Sequence, residues 1–96
     1  GKTAVLEVYP DRGGNYVVWI LHRRIATPMG LKVGDRYRTV ERRLRQRLKC
    51  RAGADDWYKY QLCRSPDRSL RYVFPNTRGP LRNKRMVAVI WTAPPR

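Results

Sequence analysis

From Thr3 to Tyr9 the chain alternates, TAVLEVY, so that Ala4, Leu6 and Val8 share one side of an extended segment. This period of two predicts a half-buried strand. The turn-forming residues PDRGGN follow at 10–15, and YVVWIL at 16–21 is β-branched and aromatic enough to return as a second strand. The pattern predicts a β-hairpin over residues 3–22. After it, Pro28, Gly30 and Gly34 punctuate HRRIATPMGLKVGD as a short turn or a single helical turn.

Residues 39–51 admit two readings. As a helix, Thr39 is the N-cap, Tyr37, Val40, Leu44 and Leu48 fall at helical spacing, and Gly53 ends the element. The run ERRLRQRLK also contains good helix formers and no β-branched residue. As a strand, Leu44, Leu48 and Cys50 share a face and ADD at 54–56 turns into WYKYQLC at 57–63. That register sets Cys50 opposite Tyr58, Leu48 opposite Tyr60 and Gln46 opposite Leu62. The helix is favoured, and both readings stay open.

Further on, 57–63 predicts a strand, SPDRS at 65–69 a turn, and LRYVF at 70–74 another strand. PNTRGPLRNKR at 75–85 is expected as an exposed loop, and MVAVIWT at 86–92 as a strand dry on both faces. Alternation sends Tyr58 and Tyr60 into the core and leaves Trp57 and Lys59 on the opposite face. The fold class is a β-rich α+β domain: an N-terminal β-hairpin, a basic helix or ribbon in the middle, and further antiparallel strands in the C-terminal half. At 96 residues the chain fits one small basic domain, 1–96, with a stability of about 5–10 kcal/mol.

Charge changes the picture most. Twenty-two Lys and Arg against seven acids leave a formal charge of +15, and the segment RRLRQRLKCR at 42–51 carries six cations and no acid. Self-repulsion of this size is relieved by a polyanion. Seventeen of the cations are Arg, whose forked guanidinium suits phosphate oxygens. Nucleic acid is the expected partner, duplex DNA ahead of RNA or single strands, bound by a regulator or architectural protein. The alternatives are an RNA-binding or ribonucleoprotein module that stacks bases on its aromatics, and a structural component that meets an acidic partner.

The residues expected at the nucleic acid are Arg42, Arg43, Arg45, Arg47, Lys49 and Arg51 from the basic run, with Trp57 as a stacking ring and Lys59 beside it. Arg23 and Arg24 after the hairpin, and Arg82, Lys84 and Arg85 in the late loop, support them. Phosphate contacts of this kind position a protein without reading sequence.

The inventory for catalysis is thin, and no enzyme, metal or cofactor is expected. His22 is the only histidine and ends a predicted strand, where a packed or capping role fits better than a general base. Asp55 and Asp56 sit in a turn that favours Asp for local hydrogen bonding. Cys50 and Cys63 lack a CxxC partner and are expected as small core hydrophobes, with a disulfide or redox pair as the alternative. A reducing, intracellular setting in cytoplasm or nucleoid follows as the default. The apolar runs VVWIL and MVAVIW are too short to span a membrane.

Residues 15–41, NYVVWILHRRIATPMGLKVGDRYRTVE, resemble the swapped-hairpin DNA-binding family of the AbrB/SpoVT type. Leu21 stands at the family's strand-end isoleucine, Ile25 at its helix hydrophobe, Met29-Gly30-Leu31 at Leu-Gly-Leu, and Gly34-Asp35 at the Gly-Asp turn. His22 replaces the family's proline, Ala26 its helix arginine, and Pro28 interrupts the short helix. The resemblance implies a homodimer of intertwined hairpins that presents basic residues to DNA, with 42–96 as an added region.

Overall fold

The fold is taken from a computed structural model, which describes residues 5–11, 13–54, 58–65 and 70–93. The N-terminal hairpin forms as expected from β1 (Leu6–Pro10) and β2 (Tyr16–Ile20), paired from Leu6 opposite Ile20 to Pro10 opposite Tyr16. Asp11 closes the turn, its carboxylate accepting from the N–H groups of Gly13 and Asn15 at 2.8 and 2.9 Å. Four more strands follow: β3 (Lys49–Ala54), β4 (Lys59–Arg64), β5 (Leu70–Pro75) and β6 (Ala88–Ala93). All six form one antiparallel sheet in the order β1-β2-β6-β5-β4-β3. The last strand lies between β2 and β5 and welds the N-terminal hairpin to the rest, which accounts for the burial of Ala88, Val89 and Ile90.

The basic run is neither one helix nor one strand. Helix α1 (Tyr37–Leu44) ends at Arg45, which takes the left-handed conformation (φ 53°) and donates its backbone N–H to the last turn. Glu41 then fixes the exit, because its carboxylate accepts from the Leu48 N–H and from the Tyr37 hydroxyl, both at 3.1 Å. Leu48 is thereby buried from an extended segment rather than from a further helical turn. The expected N-cap at Thr39 is also corrected. The helix starts three residues earlier, with Arg36 at the N-cap, because residues 34–36 pair with 84–86, and the Tyr37 N–H donates to the Lys84 carbonyl at 2.9 Å.

Register brings a second correction. Cys50 faces Cys63 rather than Tyr58, and Arg51 faces Leu62. The two cysteines are joined by a disulfide, so they are a cross-strand staple rather than a pair of small core thiols.

One face of the sheet carries the main core. Tyr72, Phe74 and Val89 meet Leu31, Val40 and Met86 there, all essentially inaccessible to solvent. Tyr37 of α1 packs edge-on against Phe74 with ring centroids 5.3 Å apart. Leu6 and Val8 share that face, yet they are 47 and 58% exposed because β1 lies at the sheet edge beyond the helix. The expected half-burial of β1 is overturned by this position.

The loop at 75–85 is ordered by its own cations. Lys84 Nζ donates to Thr77 Oγ1 at 2.6 Å and to the Arg78 carbonyl, and Arg85 donates to the Gly34 carbonyl at 3.0 Å. The turn expected at 65–69 is described only at Ser65, and the Asp55–Asp56 pair lies outside the described residues.

Candidate nucleic-acid interface

Among the described residues, no helix packs on the second face of the sheet. Following the pairings across the strands gives its side chains as rows. One row runs Lys49, Arg64, Arg71, Ile90, Trp19, Glu7 from β3 to β1, crossing all six strands. The next runs Arg51, Leu62, Val73, Ala88. A third begins Gly53, Tyr60, Pro75. Neighbouring strands are about 4.8 Å apart, so three cations stand side by side in the first row with Arg51 next to them.

Directly opposed like charges destabilise a sheet. Here they rim a concavity of about 450 Å³ whose lining, among the described residues, includes no acid. Arg71 is held in place by donating to Thr92 Oγ1 at 3.4 Å. Lys49, Arg51 and Arg64 are exposed. Such a corner is chemically a site for a multiply charged anion with several oxygens.

Beyond the cations the face turns apolar and aromatic. A concavity of about 380 Å³ is lined by Trp19, Leu21, Tyr58, Tyr60 and Val73 among others, and another of about 390 Å³ by Glu7, Tyr9, Val17 and Trp19. Trp19 stands between the two. Tyr58 and Tyr60 stack at 6.3 Å with their planes 20° apart. The space for Tyr60 comes from Gly53 across the β3–β4 pair, where a Cβ would sit 2.7 Å from the tyrosine Cζ. Partial burial pushes the Tyr58 phenol above its usual range.

The sequence expectation of Tyr58 and Tyr60 as core residues is therefore corrected for Tyr58 and met in part by Tyr60, which packs against the buried Val73, Ala88 and Ile90. Both tyrosines lie on the open face, with Tyr58 exposed and Tyr60 half-buried, because alternation fixes which residues share a face and leaves open which face is covered.

The residues expected from sequence are scattered. Lys49 and Arg51 reach the cation corner. Arg42 and Arg43 are exposed on the last turn of α1, on the other side of the sheet, and the Arg43 guanidinium lies against Gly30. Arg45 is the exposed helix cap, and Arg47 is exposed in the segment leading into β3.

Lys59 has the parity of Cys63, on the helix side, and Trp57 lies outside the described residues. Arg23 and Arg24 are exposed after β2, where the Arg24 N–H donates to His22 Nδ1 at 3.1 Å, the capping role expected for that histidine. Arg82 is exposed, whereas Lys84 bonds within the loop to Thr77 and Arg78, and Arg85 bonds outside it to the Gly34 carbonyl. Arg64, Arg71, Trp19 and the stacked tyrosines were missed; their signal was period-two parity with Lys49 and Arg51, readable only once the register is known.

No family model, curated protein or solved structure matches the chain. Among the described residues, no helix is long and apolar enough to cross a membrane.

Proposed function

We propose that the protein is a non-catalytic nucleic-acid-binding domain that grips the phosphate backbone through the open face of its sheet. The observation that carries this reading is the cross-strand row Lys49–Arg64–Arg71 with Arg51 beside it, four cations converging on one concavity that no acid lines among the described residues. A row of like charges is retained at a cost to the sheet, and an anion placed between them reverses the sign of that term. Three of the four are fork-shaped guanidinium groups on the neighbouring strands β3, β4 and β5, suited to bidentate contact with phosphate.

The test is binding as a function of salt. Each phosphate contact adds about −0.7 to −0.9 to the slope of log affinity against log salt, so Lys49→Gln, Arg64→Gln and Arg71→Gln together flatten it by about 2. An unchanged slope in a folded triple variant refutes the assignment of the phosphates to this face.

A further inference from the structure

The cation row occupies only one corner of the open face, at the Lys49, Arg64 and Arg71 ends of β3, β4 and β5, and the rest of the face carries rings that a double helix has no use for. Duplex DNA keeps its bases stacked inside and presents phosphates and groove edges. Trp19, Tyr58 and Tyr60 instead line an apolar hollow immediately beside the cations, and Trp19 continues the row that starts at Lys49. Bases freed from pairing stack on such rings, whatever their sequence, while their phosphates follow a basic groove.

The geometry points to an unpaired nucleic-acid strand, RNA or DNA, lying across this face, with phosphates on Lys49, Arg64 and Arg71 and bases against Trp19 and the Tyr58–Tyr60 stack. This occupant rests on the phosphate-binding reading above and refines it. Charge complementarity selects a polyanion, and the half-exposed rings select one whose bases are accessible. Glu7, at the far end of the row, marks where the phosphate path stops, since an acid repels it. On the helix side Tyr72 and Phe74 are sealed in the core, and the exposed rings Trp91 and Tyr16 have no cation among their cross-strand partners Leu70, Val18, Ala93 and Pro10.

The experiment uses the full chain with labelled, unstructured DNA and RNA strands of about 12 nucleotides and a duplex of equal length, at roughly 100 mM salt. Wild type is expected to bind the single strands at least about 10-fold tighter than the duplex. Tyr58→Ala is expected to weaken single-strand binding by about 10-fold and leave duplex binding unchanged, whereas Tyr58→Phe keeps the ring and the affinity.

Gly53→Ala supplies a second handle, displacing the Tyr60 ring without touching a charge. In a Trp57→Phe, Trp91→Phe chain, Trp19 is the sole tryptophan, and single strands but not duplex should quench its emission. Equal affinity for strand and duplex, with no effect of Tyr58→Ala in a chain whose circular dichroism is unaltered, overturns the single-strand assignment and leaves phosphate binding intact. Binding of neither ligand, even at low salt, overturns both.

Discussion

The two faces of the sheet are made from the same six strands and do opposite things with them. On the helix side, Tyr72, Phe74 and Val89 are sealed by α1 and the 25–33 segment, and their aromatic area is spent on stability. On the open side Val73, Ala88 and Ile90 form only a thin apolar layer, and Trp19, Tyr58 and Tyr60 remain accessible around it. At the β3–β5 corner of the open face three cations stand in cross-strand register. One face holds the larger buried core, and the other holds a smaller one rimmed by accessible rings and cations.

The largest expected contrast between the faces is in stability. Phe74→Ala should cost about 3–5 kcal/mol by urea unfolding, through lost burial and the cavity left in the core. Tyr58→Ala should cost less than about 1 kcal/mol, because its ring is already wet. Equal losses would mean that the open face is as much a core as the other.

Next in size is the staple that holds β3, the edge strand of the cation corner. Replacing both Cys50 and Cys63 by Ser reopens a loop of 13 residues' separation and should lower stability by about 3 kcal/mol. Reductant should shift the unfolding midpoint of wild type and leave the double variant where it is. Below its midpoint the variant should still bind polyanions, since the disulfide lies on the helix side of the strand pair and the row Lys49–Arg64 on the other.

A smaller effect separates the faces by pH. Burial, then the hydrogen bond to Glu41 and its charge, push the Tyr37 phenol up to about 12, while Arg47 pulls it down. A raised pKa means that the folded state holds this proton more firmly than the unfolded state. The resulting stability is complete below pH 10 and is lost as pH rises through about 12. Screening by solvent limits the loss to about 1 kcal/mol. Tyr37→Phe should remove this component of the alkaline dependence, read by thermal melts between pH 9 and 12.

The contrast also explains what could be read from the chain alone. Alternation and runs of β-branched, aromatic and apolar residues exposed the N-terminal hairpin and the strands expected at 57–63, 70–74 and 86–92, which form at 59–64, 70–75 and 88–93, since each is a local pattern. The segment RRLRQRLKCR defeated it because the same spacing of Leu44 and Leu48 serves a helix and a strand. The boundary is set by Arg45 in a left-handed conformation and by Glu41 reaching the Leu48 N–H.

The cation corner was half visible. Lys49 and Arg51 lie in the conspicuous basic run, but Arg64 and Arg71 come from separate strands and acquire meaning only through the pairing of β3, β4 and β5. Cys50 and Cys63 held the register in plain view, as residues able to face one another across a strand pair.

The most direct test of the central claim compares two triple variants that each remove three positive charges from opposite sides of the sheet. One is Lys49→Gln, Arg64→Gln, Arg71→Gln on the open face; the other is Arg42→Gln, Arg43→Gln, Arg45→Gln at the end of α1. Titrating an unstructured single strand against both, from about 50 to 300 mM salt, should show the first losing about 2 units of log–log slope and the second less than about 0.5. Equal losses would show that net charge alone governs binding and would contradict an interface on the open face.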